Sequence, residues 1–393
     1  MEEALVANPN LVRNGKKVLK IKSQIQIEKF DRQILCERNN KKVSVIPINK
    51  FFGEIHSGKA FVSRNLERKA IEESLLGSYR KSEQSIDKKL SKETIRRTVI
   101  QNKEQAEKLD KTATNQKLTE QQLKDTDSSQ TNYKQSKGNI FRKLFGYIFE
   151  RKVLYFMADG VGVEQQDKTK QGERLGKREC KVATFLKQTN GNIEQIATFC
   201  TWKRITQFRT MLEWTLLKFF SPTIEIFIIS DGAKWIRNTR NKIPALKNAK
   251  WILDWFHLKD RTIKILLKFE IAETSKLAQT IIGLCWHGMT TEAFKILKKL
   301  PLSNNEEKAE QQKQALQKYE TYLKNQKEGI INYQAYKMKG YLIGSGCVEK
   351  INDQLVKDRM VRQGRMRWGI EGGEAMMQLL TAKWNGRLSE LFA

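Results

Sequence analysis

The sequence predicts an α/β protein built on a mixed sheet. Short β-branched and aromatic runs alternate with segments of helical spacing between positions 153 and 258, in the order three strands, helix, strand, helix, strand. Two of the strands run straight into Asp-Gly, at the strand end where an open α/β sheet places chemistry. A chain of 393 residues has room for two or three domains and a real core.

Positions 1–60 hold short strand-like pieces, such as KVSVIPI (42–48), among basic polar residues. From Arg64 the spacing turns helical. SYRKSEQSIDKKLSKETIRRTVIQ (78–101) sets Ile86 and Leu90 four apart, breaks at Ser91, and sets Ile95 and Val99 four apart. Ser91 can cap the second helix by accepting from its free N–H groups, which leaves Arg96 and Arg97 outward. The pattern fits a helix-turn-helix, whose second helix enters a DNA major groove, and an ordinary helical pair equally well. Residues 1–102 therefore read as an N-terminal DNA-binding region, α-helical and helix-turn-helix-like at 78–101. Residues 103–150 are rich in Gln, Lys, Thr, Asn and Asp, and read as a linker or a solvated helix.

The core begins with VLYFMADG (153–160), a strand ending in Asp159, followed by CKVATFL (180–186) and IATFCTW (196–202). ITQFRTMLEWTLLKFF (205–220) has helical spacing at Phe208, Leu212, Leu216 and Phe219. IEIFIIS (224–230) is the fourth strand and stops at Asp231; a helix through Trp235 leads to WILDWFHL (251–258) as a fifth strand. That order is the order of a ribonuclease H-like core, with its first part at 151–257. Residues 258–340 are lysine-rich, nearly free of proline and helically spaced, as expected of an all-α insertion. Residues 341–393 complete the core: a glycine-bracketed turn opens a helix carrying Glu349, and EGGEAMMQLLTAKW (371–384) makes a last amphipathic helix.

Charge is the strongest compositional signal. Lys and Arg number 73 against 44 Asp and Glu, a net charge of +29, which attracts polyanions and makes nucleic acid the expected partner. The five cysteines (36, 180, 200, 285 and 347) form no C-x-x-C pair, which argues against a disulfide framework and a zinc knuckle. Any metal should come from oxygen ligands. No apolar run approaches the roughly 18 residues of a membrane span, and MEEALVANPN lacks the apolar core of a signal peptide. A cytoplasmic chain with no membrane partner is expected.

Three acids stand out: Asp159 and Asp231, each followed by glycine, and Glu349 in the late helix. If the first and fourth strands are neighbours, the two aspartates lie side by side and the last helix brings Glu349 to them. Three carboxylates without His or Cys suit Mg²⁺ or Mn²⁺. Two such ions, roughly 3.5 to 4 Å apart, can serve in-line phosphoryl transfer. Gly160, Gly232, Gly344 and Gly346 would let a phosphodiester backbone approach. The plainer reading makes each acid a cap of a turn or helix.

In these blocks the sequence resembles bacterial insertion-sequence transposases of the DDE type, most closely the ISKra group, with kinship to the ISLre group and to Mutator-like elements. The likeness rests on MADG (157–160), RECKV (178–182), SDGAKWI (230–236), LDWFH (253–257), GSGCVE (344–349), LVKDRM (355–360) and RW (367–368), in family order over 153–392. It implies that Asp159, Asp231 and Glu349 are a catalytic triad holding two divalent metal ions, and that Asp254 and His257 match the family's C/D-x-x-H motif close to the active site. His257 could orient DNA or a metal-bound group, or be a satisfied histidine at a strand end. Lys357, Arg359, Arg362, Arg365 and Arg367, on or after the Glu349 helix, could clamp DNA phosphates or form a solvated basic face. The implied activity is metal-dependent cleavage at the element's terminal inverted repeats and strand transfer into target DNA, by a homodimer or higher oligomer associated with the bacterial nucleoid. A ribonuclease H-like nuclease without joining activity and an inactive, transposase-derived DNA-binding protein are the alternatives. Relatives often carry a Cys-rich zinc segment near the N-terminus, and Cys36 alone cannot form one.

Overall fold

The computed structural model describes residues 11–22, 27–37, 40–45, 61–115, 152–168, 172–219, 224–363 and 366–392. The chain divides into two compact units, one of Met1–Gln105 with Leu388–Ala393 and one of Ala106–Arg387.

The first unit pairs a sheet with helices. Strands β1 (Leu11–Lys22), β2 (Ile27–Glu37), β3 (Asn40–Val45) and β4 (Phe61–Val62) lie in the order β3-β2-β1-β4. Strand-like pieces between 11 and 45 thus build a sheet, in an N-terminal region whose expected fold class is α-helical, and positions 46–48 of KVSVIPI lie outside the described residues. Long β1 and β2 pair antiparallel from Leu11↔Glu37 to Lys22↔Ile27.

Helices α1 (Arg64–Leu76), α2 (Tyr79–Ser85) and α3 (Lys92–Gln101) follow, each preceded by a serine. Ser63, Ser78 and Ser91 accept at 3.3 Å from the N–H groups of Leu66, Lys81 and Thr94, which satisfies one free donor at each helix start. Between α2 and α3 the chain turns through Asp87 and Lys88 in the left-handed region (φ 54° and 55°). Leu66, Ala70, Ile86, Leu90 and Ile95 close a small core beneath that turn. Helix α4 (Lys103–Asn115) begins the stretch expected to be linker or solvated helix, and 116–150 lies outside the described residues.

The second unit is organised by a five-stranded mixed sheet of β5 (Lys152–Glu164), β6 (Lys177–Thr189), β7 (Asn192–Thr201), β8 (Glu225–Ser230) and β9 (Lys250–Leu253), in the order β7-β6-β5-β8-β9. β5, β6 and β7 form an antiparallel meander, whereas β8 and β9 add in parallel on the far side of β5. First and fourth strands are therefore neighbours. Both faces of β5 are covered, since every residue from Val153 to Ala158 is buried.

Leu154, Phe156 and Ala158 pack with Phe185, Phe199 and Ile228 against Phe208, Leu212 and Leu216 of α5 (Ile205–Phe219) and Ile236 of α6 (Lys234–Lys242). Burying each such large apolar side chain contributes about 1.5–3 kcal/mol. Five helices follow over and just before the stretch expected at 258–340: α7 (Trp255–Lys268), α8 (Lys276–Trp286), α9 (Thr290–Lys298), α10 (Glu306–Gln326) and α11 (Tyr333–Met338). Helix α12 (Gly346–Ile351) continues as a π-helix over Asn352–Val361. Helix α13 (Ile370–Trp384) differs from the amphipathic expectation, because Gly373 to Ala382 are all buried. Its polar residues face the outer edge of β7: Glu374 accepts from Trp202 N–H, Thr381 from Cys200 N–H, and Asn385, just past its end, both accepts from and donates to Thr198. An edge strand's unpaired backbone is thereby satisfied by side chains instead of another strand.

Candidate active site

Asp159 is held inside a strand and does not end one. β5 runs on to Glu164, paired antiparallel with β6, while its parallel pairing with β8 stops at Met157↔Ile229. Two residues further along that register, Asp159 falls level with Asp231, where β8 has already ended and the chain turns away. The turn needs Gly232, at φ +86°, and a side chain there would collide with Gln326. Gln326, at the end of α10, donates from Nε2 to the Gly232 carbonyl at 3.0 Å and pins the turn from the insertion.

Each acid is anchored through its neighbours. Asp159 Oδ1 accepts from the Gly160 N–H at 2.7 Å, and its Oδ2 from Asn352 Nδ2 at 2.5 Å. Asp231 Oδ1 accepts from the Ala233 N–H at 2.8 Å, the turn contact that the plainer reading expects of it. Glu349 lies in the first turn of α12 with its side chain 52% exposed. Burial pushes the Asp159 carboxyl above its ordinary pKa, the Asp231 and Glu349 charges push the same way, and the two hydrogen bonds oppose them. The three acids therefore act on one locality.

Asp254 and His257 complete the cluster, and they stand at the start of a helix instead of in a strand. β9 stops at Leu253, and Asp254 caps α7 by accepting from the His257 N–H at 3.0 Å. Its other oxygen accepts from the Ser345 hydroxyl at 2.5 Å and from the Ser345 N–H. The Trp255 N–H donates to the Ile343 carbonyl at 3.0 Å, so the segment before α12 is tied to the start of α7 twice. Burial alone would raise the Asp254 pKa; hydrogen bonds from His257 and Ser345 outweigh it and hold the carboxyl below its ordinary range. His257 Nδ1 lies 3.5 Å from Asp254 Oδ1 and 3.8 Å from Glu349 Oε1. The Asp254 carboxylate, and then the charges of Glu349 and Asp231, hold the imidazole above its ordinary pKa. Ligand atoms of Asp254, His257 and Glu349 all fall within 4.8 Å of one another.

Asp159, whose carboxyl burial and two neighbouring acids hold above its ordinary pKa, is a donor that a hard divalent cation would relieve, and an ionised carboxylate keeps lone pairs beyond those taken by N–H donors. Asp159, Asp231 and Glu349 have the all-oxygen chemistry such an ion takes, whereas the ligand atoms close enough to share one ion, among the described residues, are those of Asp254, His257 and Glu349. Asp254 is 1% exposed and accepts on both oxygens, as Asp159 does, so it ties the start of α7 to Ser345 and also lies within reach of an ion at His257 and Glu349.

The chain belongs to the uncharacterised protein family UPF0236. The family model matches residues 29–390, nearly the whole chain. No curated protein matches it. Among solved structures, the Drosophila P element transposase strand transfer complex is similar over 88% of this chain and 98% of that one, at 11% identity and a TM-score of 0.37.

Within this UPF0236 member the basic residues expected to meet DNA divide. Arg96 and Arg97 are exposed on α3 and both pair with Glu93, at 2.9 and 3.3 Å. Lys357 pairs with Asp353 at 2.7 Å, and exposed Arg362 with Asp358 at 2.5 Å and Asp353 at 3.2 Å. Arg367 is exposed, and Arg365 lies outside the described residues. Arg359 departs from the expectation of a surface phosphate clamp: it is 2% exposed, with its guanidinium 4.9 Å from the Trp368 ring centroid. The π-helical winding turns this position inward.

The glycines also depart from expectation. A side chain at Gly160 would meet Glu179, at Gly232 Gln326 and at Gly344 the Phe256 ring, so the protein's own groups fill that space; only beside Gly346 is it open. Three contacts escaped the sequence reading. Asn352 follows Glu349 by one turn, a spacing that sets both on one helix face and could have disclosed it. Ser345 sits inside the glycine bracket. Gln326 carries no signal in its neighbourhood, because its role depends on how α10 lies against the β8 turn.

Proposed function

We propose that this protein is a DDE transposase of an insertion sequence, cleaving DNA at the element's ends and joining them to target DNA, on a ribonuclease H-like core. The observation that carries the reading is the placement of Asp159 level with Asp231 across the β5–β8 pairing, with Asn352, one turn after Glu349, donating to Asp159. The strand order β7-β6-β5-β8-β9 supports it, being a meander followed by two parallel strands, with the first acid strand beside the fourth. So does a net charge of +29, which favours a polyanionic substrate.

Asp159, Asp231 and Glu349 would hold divalent metal, Mg²⁺ or Mn²⁺. Bound there, such an ion supplies positive charge at a phosphoryl oxygen and lowers the pKa of an attacking hydroxyl or water. The chain's own residues set the geometry. Asn352 fixes Asp159, the Gly232 turn fixes Asp231, and His257 lies against Glu349. Helices α2 and α3, with Arg96 and Arg97 outward, are the segment proposed to find the terminal repeats.

The test is strand cleavage of labelled DNA carrying the element's ends, in Mg²⁺ and in chelator, with wild type beside Asp231→Asn. Metal-dependent nicking that the substitution abolishes is expected. Nicked ends that never become linked to target DNA would reduce the activity to a nuclease, and binding without nicking in either metal would sink the catalytic reading.

A further inference from the structure

Helix α7 leaves the acid cluster with an aromatic ring in the open. Phe256 stands between Trp255 and His257 and is 63% exposed. Its neighbours impose that place: Trp255 packs on Trp286 and Tyr333 at ring-centroid distances of 4.7 and 5.1 Å, and Leu258 is fully buried. A helix that turns those two inward turns Phe256 out.

Single exposed apolar residues are ordinary on a protein surface, but three features set this one apart. The ring has a built seat. A side chain at Gly344 would come within 2.7 Å of Phe256 Cε2, and Gly344 has no positive φ, so the ring and not the backbone keeps that position bare. One ring edge is thereby held against the turn that precedes α12, while most of the residue stays in water. The seat also borders the acids. Asp254 Oδ2 lies 3.6 Å from the same point beside Gly344, and Asp254 Oδ1 is 3.5 Å from His257 Nδ1, itself 3.8 Å from Glu349 Oε1. Finally, a cation stands nearby. Arg261, one turn beyond His257 on α7, is exposed and pairs with no acid among the described residues; its contact with the Tyr322 ring, at 4.4 Å, neutralises no charge.

An open ring held at one edge beside a cation suits a flat apolar body that carries an anion. In a chain of net charge +29 whose proposed substrate is DNA, that body is a nucleobase. We propose that the start of α7 seats one unpaired DNA nucleotide beside the acids, its base stacked on Phe256 and its phosphate drawn to Arg261. A base inside a duplex is stacked on both faces already, so the seat selects a strand that is single or locally unstacked, at a modest unstacking cost. Placing this nucleotide next to the cut rests on the proposed cleavage site; the stack itself does not.

The full chain is titrated, in chelator so that no strand is cut, with a fluorescent oligothymidylate and with an oligomer of equal length that lacks every base. Phe256→Ala should weaken oligothymidylate binding about tenfold, as for one lost base stack, and leave the abasic oligomer unaffected. Phe256→Tyr should keep wild-type affinity for both. Arg261→Ala should weaken both alike, because a phosphate contact does not see the base. To locate the seat, 5-iododeoxyuridine is placed at each nucleotide flanking the nicked phosphate in element-end DNA bound to Asp231→Asn. Irradiation should join the strand to Phe256, a readout that uses the intact ring and so decides the matter if Phe256→Ala fails to fold. Cross-linking confined to other peptides, equal wild-type affinity for the two oligomers, or a folded Phe256→Ala protein that binds both as wild type does or loses both equally would overturn the proposal. A chain that never nicks DNA removes the cleavage reading alone, and the oligomer comparison then decides the stack.

Discussion

Asp159 and Asp254 lie in one cluster, and their environments push them in opposite directions. For Asp159, burial and two neighbouring acids raise the pKa, so the ionised carboxylate is a cost to the fold above the ordinary carboxylate range. Asp159→Asn should remove that cost. The new amide can still accept from the Gly160 N–H, and it can donate to Asn352 Oδ1, which has no partner among the described residues. We expect this variant to melt above the metal-free wild type at neutral pH while losing all strand cleavage; a lower melting temperature would show that the charge is not a burden. Asp254 is the reverse case. Its lowered pKa means the ionised form stabilises the fold above the ordinary carboxylate range and that this contribution fades as pH falls through the native pKa. Asp254→Asn should therefore cost about 1.5–3 kcal/mol at neutral pH, the worth of a hydrogen bond to a charged group. Denaturant titrations of both proteins should begin to converge as pH falls below about 4, the ordinary aspartate value, and meet only below the depressed native pKa; a gap that persisted unchanged in acid would mean the loss is one of packing.

Among elements, the buried helix α13 shows how tightly the second unit is closed. A Cβ added at Gly373 would come within 2.3 Å of the Trp202 ring, itself fully buried at the end of β7. Gly373→Ala should destabilise the protein by about 1–3 kcal/mol, the usual cost of overpacking, despite the higher helix propensity of alanine. A chemical-denaturation midpoint equal to or above that of wild type would show that Trp202 can move aside. Helix α13 also marks the limit of what sequence discloses. Its apolar residues announce a helix, but Glu374, Gln378 and Thr381 read as a solvated face, and they face inward only because an edge strand needs partners for its N–H groups. Strands β5 to β9 were legible because each contains a β-branched or aromatic run, although β5 and β6, at 13 residues each, extend well past theirs. Asp254 and His257 read as a strand end because the other six residues of WILDWFHL are apolar, whereas the helix starts within it once Asp254 caps α7. The acids were legible one by one through the glycines that follow two of them. Asn352, Ser345 and Gln326 were not, since each acts across 91 or more residues of chain and only the folded sheet brings them there.

For the whole molecule, charge and the acid site make separable demands. A net charge of +29 implies that association with DNA is driven largely by release of condensed counterions, a contribution that depends on salt and not on base sequence. Binding of the full chain to duplex DNA should weaken by at least about 10³-fold between roughly 50 and 200 mM salt, if six or more phosphates are contacted. Several of the basic side chains counted in that total are already paired with acids, Arg362 with Asp353 and Asp358 among them, so the slope reports how many remain for phosphate. Asp231→Asn removes one negative charge and leaves every basic group in place, so it should bind DNA at least as tightly as wild type with the same slope. Metal should act elsewhere. Mn²⁺ or Mg²⁺ at saturating concentration should raise the melting temperature of wild type, because an ion bound only by the native state stabilises it by mass action. The same ions should leave Asp231→Asn nearly unmoved. If metal shifted both proteins equally, the ion would be binding outside Asp159, Asp231 and Glu349; if the salt slope were flat, the excess of lysine and arginine would be a solvated surface with no polyanionic partner.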